Sequence, residues 1–284
     1  MTIRRDNVQA DSVGPEKLVK SFREARYGFE PFSRSPHSWL AVGNGGTVSG
    51  YADPTGTGGN VIGLDTGYNT FVWTVIGTQG DAKLTPRLTT DGYYDFSLDN
   101  TLSDGFELLV GGDSLVTTGG NLPSHYTMGT DSGAFVRLKF KAINASGVDL
   151  VVGFRKVEAH QADFNSYDEL AGLQVLGDSS SAAAAINAVN ILNNAATNSD
   201  STGDTLADAT SVELAVFITG RVVTVTIDGA ATSTEVDAFS FDDGEVVQPF
   251  IQFTQTTDLC TELSFQRLEW GLIEDYNDTT LGTP

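Results

Sequence analysis

The stretch VELAVFITGRVVTVTIDG, residues 212–229, decides the fold. Val212, Leu214, Val216 and Ile218 alternate with Glu213, Ala215, Phe217 and Thr219, the period of a strand with one face in a core. Gly220-Arg221 follows as a two-residue turn with glycine first, which suits the type II′ geometry that matches strand twist. Val223, Val225 and Ile227 return on the inner face, and Thr224 and Thr226 point the other way. Asp228-Gly229 is a second hairpin signal and predicts a further strand over 231–237.

Outward from this hairpin, strand signals continue in both directions. FVWTVIGT at 71–78 and FELLVGG at 106–112 are short, apolar and closed by glycine. In AFVRLKFKA, 134–142, Val136, Leu138 and Phe140 alternate with Arg137, Lys139 and Lys141. VDLVVGF at 148–154 is almost continuously apolar, as expected of a strand covered on both faces. LQVLGD at 173–178, VVQPFIQF at 246–253 and TELSFQRLEWGLI at 261–273 complete the set. The segment 179–208 mixes alanine with Asn and Ser, and predicts an outer strand around Ile186–Leu192 followed by a polar loop. Many short strands, glycine-rich turns and no fixed repeat predict an all-β sandwich, jelly roll or barrel.

The first 60 residues differ. Within 14–29, Pro15 at a first helical position and Leu18 with Phe22 at i and i+4 predict one short helix. Beyond Glu30-Pro31 the chain is rich in Gly, Pro, Ser and Asn, with isolated aromatics at Phe32, Trp39 and Tyr51. The organisation expected is an extended arm over 1–60 and a β-sandwich domain over 61–284.

Of 284 residues, 40% are hydrophobic and no apolar run approaches a membrane span. The opening residues have no apolar h-region, which predicts no secretory signal. The net charge of −21 is unevenly placed. Residues 1–34 hold seven basic against five acidic side chains, and the rest nine against thirty-two. An anionic body repels nucleic acid and anionic membranes, so neither is an expected partner. A weakly basic leading segment on such a body suits docking on another protein. The single cysteine, Cys260, lies in a strand-like run and reads as a core residue made in a reducing cytosol.

The chain offers little chemistry. His37, His125 and His160 lie far apart among turn residues and read as surface histidines. They have no spacing suited to zinc. No G-x-S-x-G elbow, phosphate loop or dinucleotide fingerprint occurs. Glu235-Val236-Asp237 begins a paired-carboxylate strand of the glycosidase kind, but Phe239 and Ser240 stand where the second Glu belongs. The pair therefore reads as solvated. The oxygen-rich runs 198–204 and 242–245 do not fit a calcium loop, since Ala209 falls where its closing Glu belongs. The expectation is a non-enzyme with no cofactor and no metal.

From residue 90 to 276 the order of elements resembles a module of tailed-bacteriophage structural proteins with the concanavalin A-like (lectin/glucanase) sandwich. AFVRLKFKA, VDLVVGFRKVE, TGDTLAD ahead of the hairpin VELAVFITGRVVTVTIDG, FDDGEVVQPFIQFTQ and LSFQRLEWGLIEDY carry the likeness. The resemblance implies a jelly-roll β-sandwich with an extended N-terminal arm, acting as a capsid decoration or cement protein. Its implied place is the outer capsid surface of the virion, after synthesis in the host cytoplasm. Its implied partners are the major capsid protein and further copies of itself, a trimer ahead of a dimer. The arm residues expected to grip the capsid are Arg4, Arg5, Lys17, Leu18, Lys20, Phe22, Arg23, Arg26, Phe29 and Phe32. The alternative is a carbohydrate-binding tail-fibre module, whose exposed aromatic platform would be drawn from Trp73, Tyr93, Tyr94 and Tyr126.

Overall fold

The computed structural model describes side chains at 76–77, 101–109 and 125–273, and backbone also in strands at 28–31, 62–65, 70–75, 87–88, 94–97 and 110. In chain order the early strands are β1 Gly28–Pro31, β2 Ile62–Asp65, β3 Thr70–Ile76, β4 Arg87–Leu88, β5 Tyr94–Ser97, β6 Gly105–Val110 and β7 Tyr126–Thr127. Next come β8 Gly133–Ala142, β9 Val148–Lys156, β10 Leu170–Leu176, β11 Ala183–Ile191 and β12 Asn198–Ala207. The last are β13 Ser211–Thr219, β14 Val222–Ile227, β15 Phe239–Ser240, β16 Val246–Gln255 and β17 Glu262–Leu272.

These form two antiparallel sheets, counted among the described residues. Sheet 1 has eight strands in the order β15-β14-β13-β8-β17-β5-β4, with β1 also on β17. Sheet 2 has nine in the order β12-β11-β10-β9-β16-β6-β3-β2, with β7 also on β16. Along these strands the chain changes sheet between β1 and β2, β3 and β4, β5 and β6, β7 and β8, β8 and β9, β12 and β13, β15 and β16, and β16 and β17. This repeated hopping makes the protein an all-β jelly-roll sandwich.

Sequence alternation sets what lies between the sheets. Leu138 and Phe140 of β8, Leu214 and Val216 of β13, Leu150 and Val152 of β9, and Ile251 and Phe253 of β16 all join one buried core. Phe106 of sheet 2 meets Phe265 of sheet 1 edge-on at 6.1 Å, closing the two layers together. Each such side chain contributes about 1.5–3 kcal/mol on full burial. Cys260 is buried in the same core.

The hairpin forms as expected. Thr219 opposes Val222 across Gly220-Arg221, and Gly220 takes the positive φ of 64° that a leading glycine permits. Val223 and Val225 pack on the core, and Ile227 is buried within it.

Two expectations are corrected. The polar run expected as loop after Leu192 forms edge strand β12, antiparallel to β11 with a register shift at Ile186/Asn187. Only its Thr202 and Leu206 are buried; its Asn, Ser and Asp residues stay accessible on an edge where charge is tolerated. The strand expected at 231–237 does not form. Beyond Asp228-Gly229 the pairing stops at a single Ile227–Ala230 bridge. The segment instead crosses to β12, where Thr234 N–H donates to the Thr202 carbonyl and Asp204 accepts from the Ser233 N–H and hydroxyl.

Within the segment read as an arm, Gly28–Pro31 is a strand of the sandwich, opposite Arg267–Trp270 of β17. The expected helix around Pro15 lies outside the described residues.

Candidate functional site

The outer face of sheet 2 is where the described polar chemistry gathers. Neighbouring strands present Glu107 from β6, Gln252 and Gln248 from β16, and Arg155 from β9. Register places Gln252 opposite Glu107 and Gln248 opposite Arg155. The connection from β9 to β10, residues 157–169, folds back over this face as a strap. Its Phe164 and Tyr167 pack on Leu109, Val151, Leu170, Val189, Ile191 and Phe250 in a second buried cluster.

Glu107 is the hub. Arg155 Nη2 donates to its Oε1 at 3.2 Å, and His160 Nδ1 lies 3.1 Å from the same oxygen. The Tyr167 hydroxyl donates to Oε2, and Gln252 Nε2 lies 3.5 Å from it. Gln252 also donates to the Gln161 carbonyl at 2.8 Å, while Gln161 N–H donates to the Tyr167 hydroxyl at 3.0 Å. Arg155 Nη1 reaches the carbonyls of Lys156 and Glu158 at 3.0 and 2.9 Å. Its guanidinium carbon sits 4.4 Å from the Tyr167 ring centroid, a cation–π contact. Burial, then the neighbouring Glu107 carboxylate, holds the Tyr167 phenol far above its usual range.

The side chains of Glu107 and Arg155 are both 0% exposed. A carboxylate needs access to a substrate proton to act as acid or base. Glu107 is instead sealed under the strap with both oxygens occupied, and the arrangement fastens a loop to the sheet. Farther along the same face, Asp149 accepts from Gln174 Nε2 at 2.7 Å. Burial pushes its carboxyl up to about 6, against the pull of that hydrogen bond and with further repulsion from Asp163.

Sequence reasoning did not find this network. The available signal was a charge inside each of two apolar runs, Glu107 in FELLV and Arg155 after VDLVVGF. A charge in such a run needs a buried partner. His125 and His160, read as surface groups, are corrected: His125 is buried, and His160 points at Glu107. Glu235 and Asp237 are exposed, as read.

The proposed platform residues separate. Tyr126 is removed from it, being fully buried and packed edge-on against Phe154 at 6.1 Å. Trp73 lies in β3 opposite Ile62 and Leu108, and Tyr94 in β5 opposite Phe265 and Leu88. Phe29 lies in β1 opposite Glu269. Arg4, Arg5, Lys17, Leu18, Lys20, Phe22, Arg23, Arg26, Phe32 and Tyr93 lie outside the described residues. Among the described residues no group of three or more His, Cys, Asp or Glu could hold a metal ion. Among them, too, no helix is long and apolar enough to cross a membrane.

No known sequence family and no curated protein matches the chain. Among solved structures, it is similar to a Bacillus licheniformis β-glucanase at 9% identity, covering 86% of this chain and 97% of that one, TM-score 0.45. An alginate lyase from Pseudomonas aeruginosa matches at 11% identity over 70% and 97%, TM-score 0.44. A carbohydrate binding module from Bacillus subtilis matches at 11% identity over 70% and 94%, TM-score 0.37. Likeness at this level carries no site residue across.

Proposed function

We propose that this protein is a non-catalytic structural module of a tailed-bacteriophage particle. In this reading it sits on the outer capsid surface and cements it by binding the major capsid protein, as a homo-oligomer with a trimer favoured. The observation that carries the non-catalytic part is the sealed Glu107 network, which fills the sheet face with the chain's own strap. The docking part is supported by the contrast between an acidic body and a leading segment with more basic than acidic residues. Burial of about 800 Å² per partner, repeated by symmetry, is enough for a specific contact.

The pairing of Gly28–Pro31 with β17 limits how the test is built. Those residues belong to the sandwich, so the deletion must stop before them. A variant lacking residues 1–27 is mixed with capsids stripped of the protein and sedimented. Loss of co-sedimentation with an unchanged melting temperature is expected; undiminished binding removes the arm from the account. Specific hits on a glycan array would replace it with the carbohydrate-binding reading, and turnover of a polysaccharide would replace it with an enzyme.

A further inference from the structure

Three loops meet at one end of the sandwich: the end of the strap, the β11–β12 turn and the loop ahead of β16. Lys156 Nζ, at the end of β9, lies 2.8 Å from Asp168 Oδ2 and 3.3 Å from Glu245 Oε2. Asn193 Nδ2 donates to Asp242 Oδ2 at 3.0 Å, and Asn194 N–H to the Asp168 carbonyl at 2.8 Å. Glu158 Oε1 accepts the Asp168 N–H at 2.9 Å. One ammonium thus serves several carboxylates and is already engaged by two of them.

Glu169 sits in this group with only 1% of its surface exposed, and its Oε2 has no hydrogen-bond partner. The charged groups acting on it are Lys156 from β9, Asp168 from its own loop, and Asp242 and Glu245 from the loop ahead of β16. Glu158 of the strap stands behind Asp168. A buried carboxylate with one oxygen unsatisfied, near three acidic side chains and one shared cation, is disfavoured in its charged form, and a proton removes that cost.

We propose that Glu169 is the proton-binding site of a pH-operated clasp: protonated, it lets the three loops close round Lys156, and ionised, it drives the acidic loops apart. Burial first, and repulsion from Glu245 next, push its carboxyl up to about 7 from 4.5. Opening of the loops that returns Glu169 to water is therefore roughly tenfold rarer at pH 6 than at pH 8.

Two measurements test it on the full-length protein. Carboxyl-carbon NMR with labelled glutamate should show one resonance, lost in Glu169→Gln, titrating near neutrality; Asp242→Asn should move that midpoint down. Hydrogen exchange of the Asn194, Lys156 and Met128 amides, which donate to the carbonyls of Asp168, Glu169 and Glu245, should slow about tenfold from pH 8 to pH 6 after correction for intrinsic rates. In Glu169→Gln it should be the same at both. A Glu169 resonance titrating below pH 5, or an equal pH response in wild type and Glu169→Gln, overturns the proposal.

Discussion

Glu107 shows how one side chain can hold a surface together. Its carboxylate joins β6, β9 and the strap through Arg155, His160 and Tyr167. Glu107→Ala leaves the Arg155 guanidinium buried without its countercharge, and should destabilise the protein by about 3–5 kcal/mol in urea unfolding. Glu107→Gln, which keeps an acceptor for Tyr167, should lose less. Equal losses would mean that the lost charge, and not the acceptor kept for Tyr167, carries the whole effect. Cys260 makes the opposite point: burial pushes its thiol up to about 11. It should resist a thiol reagent at pH 8 in the native state and react at once in denaturant. Rapid native labelling would contradict its place in the core.

Turn chemistry explains why the hairpin is where it is. Gly220 at φ 64° and the Asp228-Gly229 pair at 51° and 76° occupy the left-handed region that hairpin turns demand. Asp228 Oδ1 also accepts the Glu213 N–H at 2.9 Å, tying the second turn back to β13. Gly220→Val should lose about 1–2 kcal/mol of stability, from steric strain at positive φ. Pro249 is tolerated inside sheet 2 because it falls where β16 pairs with neither β7, at 246–247, nor β6, at 250–254. The hairpin and its inward face were legible in the sequence, since alternation and turn residues are local. The segment 231–237 was not. Its β-branched residues after Asp-Gly look like a third strand, yet Asp204 and Asp200 capture its backbone from β12. Asp204→Ala removes the bonds to the Ser233 N–H and hydroxyl and should speed protease cleavage within 231–237; an unchanged cleavage rate would mean that other contacts hold it.

Taken together, the titrating carboxyls make stability depend on pH in an unusual direction. Asp149 is pushed up to about 6 from 3.8, and Glu169 to about 7 from 4.5. A carboxyl raised on folding favours the folded state below its unfolded value and loses that contribution as pH rises through the folded one. At constant ionic strength, thermal unfolding should therefore occur at a lower temperature at pH 8 than at pH 5. The double variant Asp149→Asn, Glu169→Gln should flatten that difference. A charge of −21 adds general repulsion, which salt screens. A melting temperature that rises steadily from pH 5 to pH 8 in the wild type would contradict the assignment of both groups.

The amino-acid order alone determined the longer apolar strands, the central hairpin turn and the inward residues of those strands, because a period of two and a positive-φ turn depend only on neighbours in the chain. It did not determine that NSDSTGDTLA would be an edge strand, nor that Glu107, Arg155, His160, Tyr167 and Gln252 would share one buried network. Those outcomes were decided in three dimensions. β6 and β9 both lie against β16, and the strap crosses above them. Whether a polar side chain is paired or solvated depends on what such neighbours place beside it.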